Sequence, residues 1–200
     1  MKKTGHFLSL LLLAVLCLSA SAAWAHPTVV IDAGHGGHDR GGVPGDRYAE
    51  KNLTLDVAKR LRARLQSAGY RVIMTRDGDY FVGLGQRCDF ANFQRNAIFM
   101  CIHFNSAPRE GANGIETYYY TRQSAGFAAA VHSRLVRAAG TEDRHVRTRG
   151  YYVLRYTRVP AVLAECGFLT NRSEGARIAG SAAHRQRLAD ALASAIRSRY

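Results

Sequence analysis

Cysteine is scarce in this chain of 200 residues, which has four. Secreted scaffolds that depend on disulfides use many cysteines in short chains, so that class is excluded. Cys17 lies in an N-terminal apolar segment, which leaves Cys88, Cys101 and Cys166 as an odd set. Cys101 and Cys166 sit in apolar, strand-like runs and read as buried apolar residues without the signature of a catalytic nucleophile. One disulfide among the three stays open. Proline is equally rare at four residues, and no Pro/Ser-rich linker, low-complexity tract or internal repeat interrupts the chain. It therefore reads as one domain, long enough to bury a sizeable core.

Long apolar runs are absent after residue 25. The one that exists, Phe7 to Leu18, follows Lys2 and Lys3 and precedes Ala23-Trp24-Ala25, a small-x-small cleavage pattern. Residues 1–25 read as a secretory signal peptide and 26–200 as the mature domain. The run is too short to be a good membrane span, and Leu16 before Cys17 argues against a lipid anchor there. The expectation is an exported protein, periplasmic or secreted, with no stable membrane anchor.

Acidic residues are also few, 15 against 28 lysines and arginines, for a net charge of +13. Loss of Lys2 and Lys3 leaves about +11 on the mature chain. Such an excess favours an anionic partner, and export argues for an acidic wall polymer or lipid over nucleic acid. A generally basic, well-solvated surface explains the same charge equally well.

What is present centres on Val29-Val30-Ile31-Asp32-Ala33-Gly34-His35-Gly36-Gly37-His38-Asp39. The short β-branched run followed by glycines suits a buried strand that ends in a tight turn. A helix is expected over Lys51 to Ala68, with Leu53, Val57, Leu61 and Leu65 on its apolar stripe. A strand over Tyr70 to Arg76 and a helix from Leu84 to Arg95 follow, the latter directing Cys88, Phe90, Ala91 and Phe93 to a core. Ala97 to Ile102 is a third strand that runs into His103. Ile115 to Tyr120 alternates like a strand, with an edge position open to it. Phe127 to Ala138 is a helix, Tyr151 to Leu154 a short extended piece, and Ala161 to Ala164 a core strand ending at Glu165. Ser181 to Ser198 closes the chain as a helix. Alternating strands and helices indicate an α/β sandwich with a mostly parallel sheet flanked by helices.

Three apolar strands thus end in His35, His103 and Glu165, and parallel strand ends share one edge, where α/β sheets bind ligands. Glu50, at the start of the first helix, presents a carboxylate to the same edge. Two imidazoles and a carboxylate suit zinc with one open position, and Glu165 is placed to act as a base that binds no metal. Each residue has an ordinary alternative: a hydrogen-bonded histidine beside a turn, a helix-start carboxylate stabilised by the dipole, or a partner for the Thr170-Asn171 turn. His38 is a rival ligand. Asn105, two residues past His103, shares its face on a continuing strand, and Arg155 suits either a substrate carboxylate or a structural acid.

Four motifs in order resemble the zinc-dependent N-acetylmuramoyl-L-alanine amidases usually called amidase type 3. They are Ile31-Asp32-Ala33-Gly34-His35-Gly36-Gly37 with Glu50, Ile102-His103-Phe104-Asn105-Ser106, Gly114-Ile115-Glu116-Thr117-Tyr118 with Tyr152-Val153-Leu154-Arg155, and Val162-Leu163-Ala164-Glu165-Cys166-Gly167-Phe168-Leu169-Thr170-Asn171. The resemblance implies a twisted central sheet, Zn2+ held by His35, Glu50 and His103, and Glu165 as the catalytic carboxylate. It implies hydrolysis of the amide between the lactyl group of muramic acid and L-alanine in a peptidoglycan or muropeptide substrate. Ala33 departs from the proline frequent in the family, and Phe104 is expected to narrow the cleft. Only a short segment separates Glu116 from Tyr151, and its helix, Phe127 to Ala138, reads as a core element, so no built-in autoinhibitory helix over the zinc is expected. A monomer is expected, with the basic surface keeping it near anionic wall polymers.

Overall fold

A computed structural model describes residues 26–42 and 47–200; the segment read as a signal peptide, Cys17 and the centre of the Pro44 loop lie outside the described residues. Its strands are β1 (Thr28–Ala33), β2 (Val72–Met74), β3 (Ala97–Asn105), β4 (Ile115–Tyr119), β5 (Asp143–Thr148) and β6 (Ala161–Phe168). Its helices are α1 (Glu50–Ser67), α2 (Leu84–Asn92), α3 (Ala125–Ala139), α4 (Tyr152–Arg155), α5 (Arg172–Gly180) and α6 (Ala182–Arg197). The strands form one sheet in the order β2-β1-β3-β6-β4-β5. The first four in that order run parallel, β4 is antiparallel to β6, and β5 is parallel to β4. The mostly parallel α/β fold is as expected.

Strand alternation divides the interior into two unequal halves. Val29, Ile31, Ile98, Met100, Ile102, Phe104, Val162 and Ala164 meet α1, α3 and α6 in the larger core. The stripe Leu53, Val57, Leu61 and Leu65 of α1 is buried there, as are Phe127, Val131 and Leu135 of α3. Each such side chain contributes roughly 1.5–3 kcal/mol relative to exposure. Val30, Phe99, Cys101, Tyr118 and Leu163 face the other way, against the short helices α2 and α4. Short helices cover only part of that face. Because side chains alternate, His103 and Glu165 fall on the same face as Cys101 and Leu163, the thinly covered one.

Several local expectations need correction. Phe90 and Phe93 point to solvent, and α2 buries Arg87, Cys88 and Ala91 instead. Tyr152–Arg155 is a single helical turn rather than an extended piece. β4 is internal, because the unexpected strand β5 takes the edge. Its sequence Asp-Arg-His-Val-Arg-Thr is polar and largely exposed, so it carries no apolar alternation. β6 continues past Glu165 to Phe168, and its register with β3 shifts between His103 and Asn105, the mark of a bulge. Asn171, not Glu165, caps the unexpected α5, accepting from Ser173 and Glu174 backbone amides. Phe104 packs in the larger core and is also among the residues that line the cleft. Cys88, Cys101 and Cys166 are all free and buried.

Helix α6 carries a testable pH dependence. His184 is buried, and burial together with Arg177, Arg187 and Arg185 pushes its imidazole down to about 4. The folded protein therefore holds this ring neutral, while the unfolded chain protonates it near pH 6.5. Stability from this source is full above pH 6.5 and is lost as pH falls towards 4, by about 3 kcal/mol. Urea titrations of the parent and His184→Gln between pH 7 and 4 should give a shallower acid loss for the variant. Parallel curves would refute it.

Candidate metal and active site

Glu50 stands at the centre of the site as the first residue of α1. Its carboxylate lies 3.0 Å from His35 Nε2 through one oxygen and 2.9 Å from His103 Nδ1 through the other. The backbone amides of Gly42 and Phe104 also donate to it, at 2.9 Å each. Burial pushes this carboxyl upward, but the two imidazoles outweigh it and hold the group well below the usual carboxylate range. The same pairing works on His103: burial alone would lower it, and Glu50 raises it to about 9.

One nitrogen or oxygen from each of His35, Glu50 and His103 lies within 4.8 Å of the others, close enough to share a cation. Among the described residues this is the group of histidine, cysteine and carboxylate side chains with that property. Asp39 binds His35 Nδ1 at 2.8 Å, which fixes the ring and directs Nε2 inward, the arrangement metal-ligating histidines use. His38 is not part of the group; its ring stacks on Phe81 at 4.3 Å.

The turn needs its glycines for space and for conformation. A Cβ on Gly34 would lie 2.4 Å from the His103 ring, and one on Gly41, whose φ is +75°, would meet both His35 and Glu50. His35 itself adopts φ 63°, a left-handed conformation that costs a non-glycine residue about 1–2 kcal/mol. Two buried arginines oppose that strain. Arg87 donates to the carbonyls of Ala33 and His35 and forms a 2.7 Å ion pair with Asp32. Arg76 donates to the carbonyls of Ala33, Gly34 and Lys51. Neither arginine was singled out from sequence, since in a chain so rich in arginine nothing local separates a buried one from a solvated one.

Glu165 lies directly across from His103 in the β3–β6 register and across from Glu116 in the β4–β6 register. Its Oε2 is buried and has no hydrogen-bond partner among the described residues. Burial raises its carboxyl to about 7; the His103 imidazole opposes the shift, and Glu50 and Glu116 add to it. A carboxyl tuned to neutrality beside a three-ligand cluster suits proton transfer. Glu116, buried beside it, accepts from Asn105, Tyr118 and Arg144 at 2.7, 2.7 and 3.2 Å. Asn105 shares the His103 face, as its spacing suggested. Arg155 lies over the Tyr156 ring.

His35, Glu50, His103 and Glu165 line a cleft of about 620 Å³, together with Phe81, Leu84, Tyr151, Tyr152, Asn105 and Ser106. It opens on the thinly covered face, at the C-terminal ends of the parallel strands, where α/β sheets place ligands.

Comparison with known proteins agrees with this architecture. The family model described as N-acetylmuramoyl-L-alanine amidase matches residues 29–198. The uncharacterized protein YqiI of Bacillus subtilis is 36% identical over 92% of this chain and 90% of its own length. The N-acetylmuramoyl-L-alanine amidase LytC of the same organism is 36% identical over 76% of this chain, which spans only 31% of LytC. The catalytic domain of CwlV, an N-acetylmuramoyl-L-alanine amidase from Bacillus (Paenibacillus) polymyxa, superposes with a TM-score of 0.82 at 35% identity. That alignment covers 86% of this chain and 97% of the CwlV domain. A family match over nearly all the described residues, with a shared fold and a carboxylate-centred cleft, places the chain in the N-acetylmuramoyl-L-alanine amidase type 3 family.

Proposed function

We propose that residues 26–200 form an exported catalytic domain that hydrolyses the amide between the lactyl group of N-acetylmuramic acid and L-alanine in peptidoglycan. Residues 1–25 act as its signal peptide, and Zn2+ is its cofactor. The observation that carries this reading is the convergence of His35, Glu50 and His103 beside Glu165, whose buried Oε2 has no hydrogen-bond partner among the described residues. Two neutral-capable nitrogens and an ionised oxygen are a donor set zinc accepts, and Asp39 supplies the outer hydrogen bond. His35, Glu50 and His103 would hold the ion. When bound there, zinc polarises the substrate carbonyl and acidifies water.

The chain's own residues do the rest. Glu165 takes a proton from the attacking water and returns it to the leaving nitrogen of L-alanine, a role its near-neutral carboxyl suits. Asn105, held by Glu116, presents an amide to the cleft for the stem peptide. Asp39 and Arg87 keep His35 in place while the site exchanges substrate and product. No helix among the described residues is long and apolar enough to cross a membrane. The basic surface holds the enzyme near anionic wall polymers.

Mass spectrometry of a peptidoglycan digest, with and without a chelator, tests the bond and the metal together. Whole stem peptides with a free L-alanine amino terminus should appear, leaving glycan with intact lactyl groups, and chelation should stop their release. Cleavage within the stem, or release that survives chelation, would overturn the reading.

A further inference from the structure

Phe90 of α2 and Phe93, the residue that caps its C-terminus, serve neither the core nor the cleft. Phe93 is 79% exposed and Phe90 37% exposed, although the helix has a buried face to put them on. Together with Tyr80 and Phe81, themselves about half exposed, they line a depression of about 500 Å³. Isolated exposed aromatics are ordinary, but four lining one depression are an exposed apolar surface of the kind that ligand grooves present. Phe81 and Val82 belong to this depression and also to the cleft that holds Glu165 and His103. The two concavities therefore adjoin at Phe81 and Val82, and together they make a track that begins at the candidate reaction centre.

The chemistry of the lining narrows the ligand. Between the rings stand Gln86, Asp89 and Gln94. No lysine or arginine is among the described residues that line the depression; Arg71 stands beside it, donating to Gln94 Oε1 at 3.3 Å. A pyranose ring presents an apolar C–H face and a rim of hydroxyl and acetamido groups. Aromatic rings pack against the face, and planar amide and carboxylate side chains bond to the rim. A row of aromatics interspersed with such side chains matches a chain of neutral sugars, with apolar surface for contact and a few polar groups for orientation.

We propose that this track binds the glycan strand, with successive N-acetylated sugars lying along Phe81, Tyr80, Phe90 and Phe93. The proposal rests on the amidase reading and adds a direction to it. The sugar side of the scissile amide faces Phe81 and α2, and the stem peptide leaves past Asn105 and Ser106. Longer glycan then binds tighter than a single disaccharide because each further sugar adds contacts on a tethered ligand.

The test is the double variant Phe90→Ala/Phe93→Ala in the otherwise intact mature protein. Phe93 is largely exposed and Phe90 partly so, so the variant should stay folded with a thermal midpoint lowered by only a few degrees. Calorimetric binding of a β-1,4-linked N-acetylglucosamine hexamer should weaken about tenfold. On polymeric peptidoglycan KM should rise about tenfold with kcat unchanged, while kinetics on a single disaccharide-peptide stay at parent values. Unchanged hexamer binding and KM would overturn the proposal. An equal loss on both substrates would overturn it too, since it would place the effect in the cleft. A parent that hydrolyses peptidoglycan yet does not bind the hexamer counts against the track alone. A parent that binds the hexamer but releases no stem peptides counts against the amidase reading and leaves the track standing.

Discussion

Glu165→Ala should keep one zinc per chain and lose amidase activity by about 10²–10⁴-fold, the span that general acid–base catalysis contributes. His103→Ala should lose both zinc and activity. The two residues face each other across β3 and β6, so proximity alone does not separate their roles. Their partners do. His103 is tied to Glu50 at 2.9 Å within the candidate metal-binding cluster, whereas Glu165 Oε2 has no partner among the described residues. Removing Glu165 leaves the His35–Glu50–His103 contacts untouched. It also removes a buried acid whose carboxyl burial has pushed to about 7, so the variant should unfold no more easily than the parent. Metal analysis, product release and thermal unfolding on the two variants decide the matter. Zinc lost from the Glu165 variant and retained by the His103 variant would exchange their roles.

Asp32→Ala should destabilise the protein by about 3–5 kcal/mol, because it strands the Arg87 guanidinium in the interior. Both partners are almost fully buried and lie 2.7 Å apart. Asp32 also accepts from Thr75 Oγ1 at 2.6 Å and from Cys101 Sγ at 3.0 Å, so its loss unsatisfies three donors. At this size, a loss of that order lowers the thermal midpoint by about 10 °C. The effect should reach the site. Arg87 holds the carbonyls of Ala33 and His35, and His35 depends on that anchorage to stay in its left-handed conformation. Zinc affinity should therefore fall along with stability. Denaturant titration with a parallel zinc competition assay reads both quantities. A variant within 1 kcal/mol of the parent, with parent affinity, would show that Arg87 finds other partners and that the pair does not anchor the loop.

Legibility varied with how much of an element's character is local. The stripe of α1, the strands β1, β3 and β6, and the helices α3 and α6 each bury a run whose period is visible in a dozen residues. β5 was not visible because an edge strand with solvent on its outer side needs no apolar alternation. α5 was not visible because Arg-Ser-Glu-Gly-Ala-Arg-Ile-Ala-Gly buries little and owes its start to the Asn171 cap. Phe90 and Phe93 were misassigned for the opposite reason. Apolar residues on a helix are expected inside, and nothing within α2 tells that Arg87 takes the buried place.

The candidate ligands were legible as residue types at strand and helix ends, and the resemblance to a family selected among them. The sequence by itself determined which segments are apolar enough to form the sheet, and hence that His35, His103 and Glu165 come to one edge. Only the tertiary structure decided what surrounds them. The pairing of His103 with Glu165 depends on the register of strands some sixty residues apart, and the unpartnered state of Glu165 on what the β6 bulge and the short helices leave uncovered. The turn that carries His35 shows the same division. Its glycines announce a tight approach, but the strain at His35 and the buried arginines that oppose it arise from contacts with α2 and with the segment that follows β2. Periodicity and composition are local, and they suffice where burial is the whole story. A site's charge, register and anchorage are sums over distant neighbours, and those exist only once the chain has folded.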